Sequence, residues 1–328
     1  MESSAVENVR GALLRSVEDG ETVLIVVDRG TEPGVTDVLT EAARGLRLSH
    51  NVVSMPVSPV PNAEPPEQVA DAMLQHNVIV VGTTVPIAHT KAVRTANAEG
   101  ARFISMDGVN LAMLTGGGAS ADYSRIHEIG LAIEERWNAA SHVRVTSELG
   151  TDLEADITGR RSWRFDGTPF RADWFLLTGC AFPDGEVGIA PLEGTANGTV
   201  VWDASVHWLG LLRDLIRLEV KKGWVKAISG GDQAKELETR LAELDDANSY
   251  YCPAEIAIGI NPDAQITGTM REDKKALGTV HIATGTNIDI GGTIEAKSHI
   301  DGLIRQPSVW LDGHTIVDNG QIAPEVLS

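Results

Sequence analysis

Cysteine is nearly absent from this 328-residue sequence: Cys180 and Cys252 are the only two, and they form no CxxC pair. That excludes a disulfide framework and a structural zinc knuckle, and each thiol reads as a small buried apolar residue. Basic residues are also scarce, with 27 Lys and Arg against 46 Asp and Glu and a formal net charge of -19. Such a chain does not suit a nucleic acid, whose phosphates need a positive surface. Long apolar runs are missing, so no membrane span is expected. The opening MESSAVENVRGALL has no basic stretch leading into an apolar core, so no secretory signal is expected and a cytoplasmic protein is.

Several catalytic motifs are missing as well. No GxGxxG and no GxxxxGK loop follows any strand-like segment, and there is neither an HExxH nor a GxSxG. Dinucleotide and P-loop sites, zincin chemistry and a serine nucleophile elbow therefore lose their usual signatures. The cluster Gly116 to Gly118 lacks phosphate-loop spacing and reads as a flexible loop.

A hydrophobic content of 42% with 22% charged residues is that of a globular chain, long enough for two domains. Segments 21–28, 77–82 and 101–106 are short, apolar and rich in β-branched residues, and they alternate with helix-like segments such as 35–46, 68–76 and 91–98. Unbroken apolar strands spaced by helices imply a parallel, doubly wound sheet. A proline-rich connection runs from Pro56 to Pro66. From His142 the pattern changes to period-two alternation, as in 143–147 and 152–157, which marks half-exposed antiparallel strands. The expected architecture is a Rossmann-like α/β domain over residues 1–140 and an α+β domain with mostly antiparallel strands over 141–328.

Candidate chemistry gathers in the second of these, above all in the glycine-punctuated segment from Gly278 to Gly302. It carries His281, His299 and Asp301, and the one-residue spacing of the last two puts both side chains on one face of a strand. Two imidazoles and a carboxylate suit a divalent metal with open coordination positions. Glu186 and Glu255 occupy similarly apolar surroundings, where a carboxylate is costly unless paired, protonated or bound to metal. His89 follows an apolar strand at its carboxyl end, where open α/β sheets place ligands. His207 sits among apolar residues and reads as a packed histidine, while Lys221-Lys222 and Lys274-Lys275 read as solvated surface.

Pro86-Ile-Ala-His-Thr-Lys-Ala-Val-Arg94 and Gly100-Ala-Arg-Phe-Ile-Ser-Met106, with Gly185-Glu-Val, Ala254-Glu-Ile, His281-Ile-Ala-Thr-Gly285 and Ser298-His-Ile-Asp-Gly302, carry a family likeness. Over most of its length the chain resembles the aminopeptidase T superfamily of metallo-aminopeptidases. More closely it resembles the 2,5-dihydroxypyridine 5,6-dioxygenase branch, with which it shares Asn287 and Gly291-Gly292. The peptidase branch implies two zinc or cobalt ions on Glu186, Glu255, His281, His299 and Asp301. Its tyrosine seven residues after the first histidine is replaced here by Ile288, which removes a phenol able to stabilise a tetrahedral intermediate.

The oxygenase branch implies a single Fe(II) on His281, His299 and Asp301, leaving positions for a hydroxylated ring and dioxygen. Glu186, Glu255 or His89 would then accept the ring's hydroxyl proton. The expected function is thus an extradiol-type, non-haem Fe(II) ring-cleaving dioxygenase for a hydroxylated N-heteroaromatic such as 2,5-dihydroxypyridine. A two-metal aminopeptidase or amidase is the alternative, and a non-catalytic small-ligand or metal-binding protein the second. The resemblance also implies a homo-oligomer, at least a dimer.

Overall fold

The computed structural model describes residues 2–59, 62–175 and 178–327, so residues 60 and 61 of the proline-rich connection lie outside the described residues. Six consecutive residues from Val23 to Asp28 are buried, which requires cover on both faces of a sheet. Their strand, β1 (Thr22–Asp28), pairs in parallel with β2 (Ser49–Met55) and β3 (Val78–Val81). The sheet continues with β4 (Arg102–Ser105) and β5 (Gly179–Ala181) in the order β2-β1-β3-β4-β5. At the edge, β2 is mostly exposed, and its sequence SHNVVSM is correspondingly mixed. Helices Pro33–Gly45, Glu67–Met73 and Lys91–Ala98 lie between the strands in sequence, the alternation that makes a parallel sheet possible.

The chain divides into two compact units, Met1–Tyr123 with Phe165–Asp184, and Ser124–Arg164 with Gly185–Ser328. This differs from a single break near Ala140, and the contacts explain why. The three-residue strand β5 completes the parallel sheet of the first unit from far along the chain. Most of the helix Tyr123–Ala139 belongs instead with the second unit. There Asn138 Oδ1 accepts from the Ser162 amide at 2.9 Å, Glu134 pairs with Arg164, and Trp137 is fully buried.

The second unit contains an eight-stranded sheet assembled from strands between His142 and Ile322, and most of a seven-stranded sheet. Four strands at the centre of the latter concern the site: β6 (Glu186–Ile189), β7 (Glu255–Gly259), β8 (Val280–Gly285) and β9 (His299–Ile304). They lie in the order β9-β8-β7-β6, each antiparallel to its neighbour. All are buried but for a partly exposed His299. Among the described residues, no helix is long and apolar enough to cross a membrane.

Candidate metal centre

The register of the four strands decides which side chains meet. Glu186 lies opposite Gly259, Ala257 opposite His281, Ala283 opposite both Glu255 and Asp301, and Gly285 opposite His299. Directly opposed residues share a face, as do alternate residues along a strand. Glu186, Glu255, His281, His299 and Asp301 therefore all project from one face of the sheet. The positions between them on that face are small, Gly188, Ala257 and Ala283 among them, and the room they leave is used at once. A Cβ on Gly188 would come within 2.5 Å of the Trp163 ring. The opposite face carries Val187, Ile256, Ile258, Ile282 and Ile300, all buried, and there Gly302 lets the Trp202 ring lie against the backbone.

On the polar face Glu255 stands between the two imidazoles, Oε1 accepting from His281 Nε2 at 2.6 Å and Oε2 lying 3.2 Å from His299 Nε2. His299 Nε2 is also 3.1 Å from Asp301 Oδ1, while its Nδ1–H donates to the Thr286 carbonyl at 2.8 Å. Such a bond from the far ring nitrogen fixes both ring orientation and tautomer, as in metal-ligating histidines. Burial alone would lower the His299 pKa, but the carboxylates of Asp301 and Glu255 raise it well above the ordinary histidine range. Burial works in the opposite direction on the acids and is likewise outweighed. Lys274, His299 and His207 hold Asp301 well below the carboxylate range, and His281 and His299 hold Glu255 low.

Two cations beside these groups correct the surface reading of Lys274-Lys275. Lys275 is fully buried with Nζ 2.5 Å from Glu186 Oε1, and Lys274 Nζ is 3.0 Å from Asp301 Oδ2 and 3.7 Å from Glu186 Oε2. The turn that delivers them is pinned by two buried acids: Asp273 accepts from the Thr267 and Gly268 amides, and Glu272 from that of Gln265. Desolvation raises the Glu186 pKa and depresses that of Lys274, yet their mutual field, with Lys275 and Asp301, drives Glu186 down and Lys274 up. His207 is at the site too. Its Nδ1 accepts from the Asp301 amide at 3.1 Å and lies 3.6 Å from that residue's Oδ2. One signal for the lysines was available in the sequence, because three carboxylates directed to one buried face require cations.

The chemistry of the donor set fits a metal ion. Glu255, His281 and Asp301 each offer one ligand atom, all within 4.8 Å of one another. Glu186 Oε2 and His281 Nδ1 are buried without a hydrogen-bond partner among the described residues. An unsatisfied buried acceptor costs about 1–3 kcal/mol, more when charged, and for the Glu186 oxygen a nearby cation would answer it.

The segment after β8 is stapled in place. Glu193 Oε1 accepts from the Thr293 amide at 2.8 Å and from Asn287 Nδ2 at 3.3 Å, while Oε2 pairs with Arg160, which also donates to the Gly291 carbonyl. Asn287 is buried and its Oδ1 accepts from the Ile294 amide at 2.8 Å, whereas Ile288 is exposed. Glu193→Ala should loosen the segment whose Thr286 carbonyl orients His299. The expected outcome is a loss of about 1–3 kcal/mol in stability and about tenfold weaker metal binding. Thermal melting and a metal titration check the two effects.

His89 belongs to the other unit, in the loop between β3 and the helix Lys91–Ala98. There its amide donates to Asn62 Oδ1 at 3.1 Å and its carbonyl accepts from Arg94 Nη1 at 2.6 Å. The loop is braced by Asp28 at the end of β1, whose carboxylate accepts from the Thr84 amide and hydroxyl at 2.8 and 2.7 Å. The two cysteines are buried and unpaired, and burial pushes the Cys180 thiol up to about 12, consistent with inert apolar side chains.

Comparison with known proteins converges on one group. The family model described as NicX, 2,5-dihydroxypyridine 5,6-dioxygenase, matches residues 9–324. A 2,5-dihydroxypyridine 5,6-dioxygenase of Pseudomonas putida KT2440 is 24% identical over 343 aligned positions, which cover 95% of this chain and 94% of that protein. The solved structure of the 2,5-dihydroxypyridine dioxygenase from that organism superposes with a TM-score of 0.81 at 21% identity, covering 100% of this chain and 99% of the other. Wild-type AmpT from Thermus thermophilus shares the fold at a TM-score of 0.70 and 14% identity, with 98% and 99% of the two chains covered.

Proposed function

The chain belongs to the 2,5-dihydroxypyridine 5,6-dioxygenase family, and from that premise we propose that it is an iron(II)-dependent dioxygenase that opens a hydroxylated nitrogen heterocycle such as 2,5-dihydroxypyridine. The observation that carries this reading is the convergence of His281, His299, Asp301 and Glu255 on one buried face, where donor atoms of Glu255, His281 and Asp301 lie within 4.8 Å of one another and His299 Nε2 is 3.2 Å from Glu255 Oε2 and 3.1 Å from Asp301 Oδ1. In this reading His281, His299 and Asp301 hold the metal, and Glu255 is a neighbouring carboxylate within reach of both imidazoles. Iron(II) held there would supply open coordination positions for the hydroxylated ring and dioxygen.

The protein's own charges select the substrate's ionic form. Glu186, Glu255 and Asp301 are balanced by Lys274, Lys275 and the imidazolium of His299. A divalent ion that displaces the His299 proton leaves one positive charge in excess of these three carboxylates. A ring bound as its monoanion restores the balance. In this reading Lys274, the partly exposed one of the two lysines, would face that anion.

The ring's hydroxyl proton needs an acceptor. Glu186 is engaged by Lys275 and Glu255 by two imidazoles, and both carboxyls are held low, which makes them weak bases. His89 is the remaining candidate. If it takes the proton, His89→Ala lowers turnover and alters its pH profile at unchanged metal content.

Anaerobic reconstitution with iron(II), followed by oxygen and a panel of dihydroxypyridines, tests the activity. Oxygen consumption stoichiometric with ring loss is expected, and iron-loaded protein that consumes no oxygen with any member of the panel would sink the proposal. Metal binding should also release about one proton per ion near neutral pH, because His299 must give up its proton to ligate. Affinity should therefore rise with pH until it passes the raised His299 pKa, as calorimetry in buffers of different ionisation enthalpy would show.

A further inference from the structure

We propose that Lys274 and Lys275 occupy the electrostatic place of a second divalent cation, so that this carboxylate-rich site takes a single metal ion and the two lysines together set that number. The inference rests on the reading of the cluster as a metal centre and adds what limits its stoichiometry.

Three carboxylates and two histidines are donors enough for two ions bridged by a carboxylate, the arrangement of two-metal hydrolases. Here the donors are divided. Glu186 Oε1 is taken by Lys275 Nζ at 2.5 Å and Asp301 Oδ2 by Lys274 Nζ at 3.0 Å. The remaining oxygens face the imidazoles, with Glu186 Oε2 3.7 Å and Glu255 Oε1 2.6 Å from His281 Nε2, and Asp301 Oδ1 3.1 Å from His299 Nε2. Part of the donor set is thus engaged by ammonium and the rest is left for metal.

Lys275 cannot easily swing away. It has no exposed surface, its carbonyl accepts from the Asn261 amide at 2.8 Å and its amide donates to the Glu272 carbonyl at 2.9 Å. An ammonium delivers one charge and no Lewis acidity, so the exchange trades hydrolytic power for a site with a single polarising centre.

Cobalt(II) is a suitable probe, because its visible spectrum reports coordination independently of turnover. The full-length protein, Lys275→Met, Lys274→Met and the double variant Glu186→Gln/Lys275→Met would be titrated with cobalt(II) and analysed for bound metal. The wild type is expected to bind one ion per chain and each single lysine variant two. The double variant, having lost the lysine together with its carboxylate, should return to one. Lys275→Met without metal should melt below the wild type and recover as the second ion binds. Should Lys275→Met not accumulate, Lys274→Met carries the same expectation at a partly exposed position. A wild type that binds two ions, or single variants that stay at one, would overturn the inference while leaving the metal centre intact. A wild type that binds none would overturn the metal centre itself.

Discussion

Replacing His299 with alanine is expected to empty the metal centre and abolish turnover while the chain still folds. His299 opens β9, retains some exposure and contributes its side chain to no backbone ladder bond, so its removal leaves the sheet pairing intact. Its Nε2, by contrast, faces both Glu255 and Asp301. Loss of an outer partner of a metal ligand costs about 10–100-fold in affinity, so loss of the ligand itself should exceed about 100-fold. Elemental analysis after anaerobic loading, beside a thermal melt, provides the measurement. Full iron occupancy in the alanine variant would contradict the ligand assignment.

The second large effect is on stability. Asp301 is fully buried and faces Lys274 and His299, so Asp301→Ala removes the negative partner of both cations at once. Breaking a buried pair from one side costs about 3–5 kcal/mol. The pH dependence follows from the directions of the shifts. A carboxyl held below its free value contributes stability above about pH 3.9, lost as pH falls through the depressed folded value. Lys274, held above its free value, contributes fully below about pH 10.4 and loses that contribution as pH rises through the raised folded value. Denaturant titrations from acid to neutral pH should therefore show Asp301→Ala less stable near neutrality and with a shallower acid limb than the wild type. Equal stability at neutral pH would show that the cluster contributes nothing net to folding.

The parallel sheet is legible in the sequence to the extent that burial is two-sided. Val23 to Asp28 and Val78 to Val81 are short, β-branched runs set between helix-like segments, while β2, exposed at the edge, has a mixed sequence. The fifth strand, Gly-Cys-Ala, is too short to carry a period and is identified only by its partner β4. The likeness between Gly-Glu-Val, Ala-Glu-Ile and His-Ile-Asp was visible too, since each puts an ionisable residue next to an apolar one. What strand alternation cannot reveal is the cation supply. Lys274 and Lys275 come from a turn, where no period announces burial, and adjacent lysines usually mean solvent. His207 likewise reaches Asp301 through a backbone amide, a partner no side-chain pattern encodes.

The two-faced character of β6 to β9 has a consequence for how reliably the chain folds. A slip of one residue in any of these strands would drive a carboxylate or imidazole into the isoleucine layer and turn a large apolar side chain towards the lysines. Either error strands an unpaired charge in an apolar medium, an outcome far more costly than a misplaced leucine. The same ionisable groups that would hold the metal thus act as a folding checksum: mispaired versions of the sheet are rejected before any ligand arrives.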